Sequence, residues 1–164
     1  MVERTRRWST RTRRIRHGAV CAVAVAVGVL ALNAPALAAQ EPTGPTVAGT
    51  PCTASARACV DLAAGTAWLI SDGAVTYGPV PVAQGRDGAE TPRGTTVVDW
   101  KSRYHHSREY NGAAMHYAVF FAPGGIAFHE GDLSDPSAGC LRLATEAASR
   151  FFDTLAVGDE VQVR

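Results

Sequence analysis

From Ala58 to Phe128 every apolar run is cut short by a turn sequence, and this rhythm restricts the fold more than any other feature of the chain. The runs are Ala58 to Leu62, Thr66 to Ile70, Ala74 to Tyr77, Val80 to Ala83, Thr95 to Trp100, Met115 to Phe121 and Gly125 to Phe128. Each suits a strand and is too short for a stable helix. Ser71-Asp72-Gly73 is expected to turn the second run into the third as a hairpin. Gly85-Arg86-Asp87-Gly88, Thr91-Pro92-Arg93-Gly94 and Pro123-Gly124-Gly125 supply further turns. One segment breaks the pattern. Ala148, Phe151, Phe152 and Leu155 recur at i, i+3, i+4 and i+7, with Thr145 placed to cap the helix N-terminus, Glu146 in its first turn and Gly158 beyond its end. Phe151 and Phe152 are therefore expected in the core. Val161 to Val163 alternates as a closing strand. The fold class is mainly β, sandwich-like or a barrel, with one packed helix near the C-terminus.

The first 38 residues read differently. Seven arginines from Arg4 to Arg16 precede the apolar stretch Gly18 to Leu32, and Ala36-Leu37-Ala38 offers small residues for cleavage. This predicts a secretory signal peptide over 1–38, and the product would be extracytoplasmic, in the cell wall or periplasm. The apolar stretch ends at Asn33 and Pro35, short of a membrane span, so no stable span is expected after cleavage. Arg6-Arg7 and Arg13-Arg14 leave twin-arginine export open beside the general route. Cys21 opens the apolar stretch rather than closing it, which does not suit lipid attachment. Residues 39–51, rich in Pro, Gly and Thr, read as a flexible linker, and the domain is placed at 52–164.

Seven of the sixteen Lys and Arg precede residue 39, against one of the fifteen acids. The remainder carries nine basic and fourteen acidic residues, a formal net charge of −5 where the whole chain has +1. An acidic surface without a basic patch argues against nucleic acid as a partner. About 125 residues suit one domain, expected to be a monomer.

Cysteine usage singles out one residue. In an oxidising compartment Cys52 and Cys59 form a natural disulfide. Cys140 is then the odd thiol, a candidate for reactivity or for an intermolecular bridge. A lone cysteine is more often inert packing, but Pro136-Ser137-Ala138-Gly139-Cys140 is a small-residue turn, a poor place to bury a thiol. His129 ends the apolar run eleven positions earlier, so a candidate base and a candidate nucleophile flank one short loop.

Taken together, the turn Thr91-Pro92-Arg93-Gly94, a strand ending in His129, Ser137-x-Gly139-Cys140-x-Arg142 and a following helix resemble the L,D-transpeptidase catalytic domain, or YkuD, family in its compact secreted actinobacterial form. The resemblance runs from about Cys52 to Arg164. Ala138 stands where the family motif has a second histidine. The resemblance implies that Cys140 attacks a peptidoglycan stem tetrapeptide at its third residue and expels the terminal D-alanine. The amine of a second stem then resolves the thioester into a 3→3 crosslink, or water trims the stem to a tripeptide. No cofactor is implied. His129 would be the base, oriented by the carbonyl of Glu130 or Gly131. The amides of Gly139 and Cys140 would receive the oxyanion, and Ser137 would belong to the same loop. Met115, His116 and Tyr117 begin an apolar strand that core packing largely explains, or by position His116 and Tyr117 would instead line the substrate groove. Arg142 would fix the loop or bind a substrate carboxylate, or form no more than a surface ion pair. Losing an imidazole beside the thiol removes a potential acid or base. A weakened or inactive relative that binds cell-wall peptides is therefore the alternative function.

Tyr104-His105-His106-Ser107-Arg108 carries adjacent histidines, which more often lie on a solvated loop than in a metal shell. The spacings that identify zinc sites are missing, so no metal is expected.

Overall fold

The structure, a computed structural model, describes residues 44–164. The expected signal peptide and the first residues of the expected linker lie outside the described residues. Two antiparallel hairpins begin the domain: β1 (Ala58–Asp61), β2 (Thr66–Ser71) and β3 (Ala74–Pro81). The expected runs at 74–77 and 80–83 join in one edge strand, β3, whose register shifts around Gly78 and Pro79. An edge tolerates a proline that a central strand would not.

The expected run Thr95 to Trp100 divides between sheets. β4 (Gly94–Val97) and β9 (Glu160–Val163) complete the first sheet, in the order β3-β2-β1-β9-β4. β5 (Trp100–His106), β6 (Ala114–Ala122), β7 (Ile126–Glu130) and β8 (Leu141–Leu143) form the second, in that order. Buried Val98 lies at the crossing between them. Tyr104, His105 and His106 lie on β5 rather than on a solvated loop, because antiparallel pairing to His116, Met115 and Ala114 occupies their backbone.

The helix α1 (Thr145–Thr154) packs on β6, β7 and β8. Ala147, Ala148 and Phe151 are buried, joining Leu69, Phe128, Leu141 and Leu143 in the main core. Phe151 sits 5.1 Å from the Phe128 ring. Phe152 lies at the margin of this core, where Lys101 and Arg103 cover its ring at 4.6 and 4.7 Å. Thr145 is not the N-cap. Ala144 takes that position without a side-chain bond, and Thr145 Oγ1 instead donates to Glu130 Oε1 at 2.7 Å.

Cys52 and Cys59 are bridged, and a separate cluster of Val47, Ala56, Trp68 and Ile70 packs around them. Val47 is buried and its amide donates to Cys52 O at 2.8 Å. The packed domain therefore begins ahead of Cys52, since an apolar side chain within the composition-defined linker finds a place on the disulfide.

Candidate active site

β7 and β8 run parallel, and their pairing decides where the candidate residues meet. Phe128 pairs with Leu141 and His129 with Arg142, so the loop 131–140 leaves one strand end and returns beside it. A parallel pair needs a connection of about this length, since a tight turn joins only antiparallel strands. His129, on β7, and Cys140, immediately before β8, line one cavity of about 780 Å³. Arg86, Trp100, His105, Tyr110, Met115 and Ile126 contribute to its walls.

His129 is only 6% exposed. Its Nδ1 lies 2.6 Å from the Glu130 carbonyl oxygen. A carbonyl only accepts, so Nδ1 carries the hydrogen and Nε2 of the neutral ring keeps a lone pair. Burial pushes the imidazole pKa below its ordinary value, outweighing the opposing Glu130 carbonyl. Burial also pushes the Cys140 thiol up, against a hydrogen bond from the Ala127 backbone. Both shifts favour the neutral form of each group. Cys140 is half-buried against Met115, Ala118, Phe120 and Ala127, with Sγ 3.6 Å from Gly125 O.

The loop that carries Cys140 is held by two buried hydroxyls. Ser137, 2% exposed, donates through Oγ to Cys140 O at 2.5 Å and accepts from the Gly139 amide at 3.0 Å. Thr91, 4% exposed, donates through Oγ1 to Gly139 O at 2.9 Å and accepts from the Gly85 amide at 3.0 Å. Backbone bonds from Ser137 N to Gln84 O and from Arg86 N to Ser137 O join the same two segments. Gly139 has φ +116°, and a Cβ there would come within 2.7 Å of Ile126 Cδ1. Of the two amides expected to receive an oxyanion, that of Gly139 is occupied by Ser137, while that of Cys140 meets no acceptor among the described residues.

Glu130 is the residue whose carbonyl holds His129. Gly131 serves differently: its amide donates to Leu143 O, and it leaves room for the Arg142 side chain, whose Cδ would lie 2.7 Å from a Cβ there. Arg142 also lines the cavity, and its Nη1 donates to Asp135 O at 3.0 Å, bracing the loop. His116 and Tyr117 do not line the cavity. Tyr117 takes φ +57° within β6, and past this kink Met115 clusters with Ala118 and Phe120 instead of alternating with them. His116 is thereby left beside Glu130, with Nδ1 3.4 Å from Oε2, and Tyr117 against Phe152.

Sequence reasoning did not assign roles here to Thr91 or Gly85, or to the aromatic wall. Trp100 stacks on Phe120 at 3.8 Å, and His105 meets both rings edge-on at 5.3 and 5.0 Å. Thr91 was legible only as part of a turn motif. Among the described residues no cluster of His, Cys, Asp and Glu is arranged to hold a metal, and no helix is long and apolar enough to cross a membrane.

Residues 55–163 match the L,D-transpeptidase catalytic domain (YkuD). Among solved structures, an L,D-transpeptidase from Stackebrandtia nassauensis is 28% identical with a TM-score of 0.61, covering 65% of this chain and 54% of its own. One from Mycobacterium smegmatis is 27% identical with a TM-score of 0.56, covering 64% and 56%. L,D-transpeptidase 1 of Mycobacterium tuberculosis is 25% identical with a TM-score of 0.55, covering 63% and 58%. The chain thus spans little more than half the length of these relatives. No curated protein sequence matches it.

Proposed function

Since the chain belongs to the L,D-transpeptidase catalytic domain (YkuD) family, we propose that it is an extracytoplasmic acyltransferase of peptidoglycan stem peptides with Cys140 as nucleophile. The observation that carries this reading is the shared cavity of Cys140 and His129, with the imidazole tautomer fixed by Glu130 O. Nε2 takes the thiol proton as Sγ bonds to the carbonyl carbon of the third stem residue. The carbonyl oxygen gains negative charge, and the Cys140 amide donates to it. Collapse of this intermediate breaks the bond to the terminal D-alanine, whose amine leaves with the proton from His129. The side-chain amine of a second stem then gives up a proton to His129 as it attacks the thioester, forming a crosslink and restoring the thiol. Water in the amine's place yields a trimmed tripeptide.

A general base suits the thiol attack because partial burial pushes the thiol pKa up. Secretion through the expected signal peptide brings the domain to its substrate. Ala138, which lines the cavity where the family motif has a histidine, supports a second reading, in which the domain binds stem peptides without acylation.

The intact mass of the protein after incubation with a carbapenem tests both readings. An adduct on the wild type that disappears in Cys140→Ala is the expected outcome. A folded wild type that gains no mass would leave the binding reading in its place.

A further inference from the structure

The strongest unassigned arrangement near the cavity is the buried relay from Gly85 N–H through Thr91 Oγ1 to Gly139 O, with links of 3.0 and 2.9 Å. Thr91 is almost wholly buried and lines no part of the cavity, so it has no direct access to substrate. Its hydroxyl uses its one hydrogen on the Gly139 carbonyl. That carbonyl and the Cys140 N–H belong to one peptide unit, which is trans, since Gly78-Pro79 is the only cis bond among the described residues. In a trans planar unit the C=O and N–H point in opposite directions. Anchoring the carbonyl on Thr91 therefore fixes where the Cys140 N–H points. The Gly85 amide, by donating to Oγ1, also polarises the hydroxyl and strengthens its bond to the carbonyl.

We propose that Thr91 is a positioning residue for acyl transfer: by holding the Gly139 carbonyl it aims the Cys140 amide at the developing oxyanion. This rests on the reading of Cys140 as the nucleophile. The surroundings leave the relay little freedom. A Cβ at Gly85 would lie 2.1 Å from Ala89 O, 2.8 Å from Thr91 N and 2.9 Å from Gly139 Cα, so the turn and the nucleophile loop are in backbone contact. Ser137 restrains the peptide units on either side, through the Gly139 amide and the Cys140 carbonyl. Among the described residues, Thr91 is the one donor to the carbonyl of the unit between them.

Two reactions of the same sulfur separate this role from a merely structural one. Acylation by a carbapenem develops an oxyanion; alkylation by iodoacetamide displaces iodide and develops none. In Thr91→Val, which keeps the shape and removes the hydroxyl, carbapenem acylation should slow by about tenfold or more, while alkylation of Cys140 keeps its wild-type rate. Thr91→Ser, which restores the hydroxyl, should recover most of the acylation rate. Thermal melting checks the fold of each variant, and Thr91→Ala replaces the valine variant if that one does not fold. Acylation of Thr91→Val at the wild-type rate, a parallel fall in both reactions, or no recovery in Thr91→Ser overturns this inference alone. A wild type that is alkylated but never acylated overturns the transpeptidase reading and this inference with it.

Discussion

Cys140 and His129 line one cavity, and the direction in which each pKa is shifted has a consequence for pH. Partial burial raises the pKa of the Cys140 thiol and burial lowers that of the His129 imidazole, so for each group the environment favours the neutral form. In the proposed mechanism protonation of His129 removes the base, so carbapenem acylation should fall on the acid side of a midpoint below the ordinary imidazole value of 6.5. Alkylation of Cys140, which follows the thiolate population, should still be rising with pH above the ordinary thiol range of about 8.5. A pH-rate series for each reaction checks this, and a plateau of alkylation extending from acid pH would mean an ion pair instead. At this scale the sequence displayed the candidate thiol and base but not their protonation. Nothing in the letters tells whether the thiol and the imidazole are favoured in neutral or charged form; that direction comes from their surroundings, with the Glu130 carbonyl at Nδ1 of His129. The positions of His116 and Tyr117 were equally hidden, because alternation along a strand predicts its faces only while the backbone stays extended, and Tyr117 does not.

Among the elements, the parallel pairing of β7 with β8 creates the site, and α1 supports that pair from the core side. Phe151 is the side chain through which the helix reaches deepest: it is fully buried, touches Phe128 on β7 and meets the Tyr77 ring edge-on at 6.4 Å. Phe151→Ala should therefore lower the unfolding free energy by about 3–5 kcal/mol, measured by chemical denaturation. The substitution acts through a cavity beneath the sheet rather than through the thiol, so the part of the population that stays folded should still be alkylated at Cys140. The helix was readable because its apolar period is long and regular. β8 was not, for it contributes only Leu141–Leu143, too few residues to show alternation. β5 was hidden by its composition, since pairing to β6 rather than an apolar face defines it. The division of Thr95 to Trp100 between two sheets has the same origin: one apolar run carries no sign of where the chain changes layer.

At the scale of the whole domain, the disulfide cluster and the cavity draw on separate groups of side chains. The disulfide lies with Val47, Ala56, Trp68 and Ile70, and none of these residues lines the cavity around Cys140. Cys59 sits on β1, in the middle of the five-stranded sheet, and the bridge ties to it the segment that precedes the first strand. Cys52 also brings Thr53 to Gln162 on β9, where the Thr53 amide donates to Oε1 at 3.0 Å and Gln162 Nε2 donates to Thr53 Oγ1 at 2.6 Å. The bridge thus fixes a buried polar pair as well as an apolar one. For a sequence separation of 7, the chain-entropy relation gives the crosslink about 2.5 kcal/mol. Replacing both cysteines, Cys52→Ala with Cys59→Ala, should lower the melting temperature by roughly 10 °C or more, at about 4 °C or more per kcal/mol for a small domain. At a temperature where the variant remains folded, the rate of carbapenem acylation at Cys140 should match that of the wild type. Equal melting temperatures would mean that β1 and β9 hold the N-terminal segment without the bridge. A slowed acylation in a fully folded variant would mean that the two sheets transmit the loss to the nucleophile loop, and the separation of the two clusters would then be geometric only.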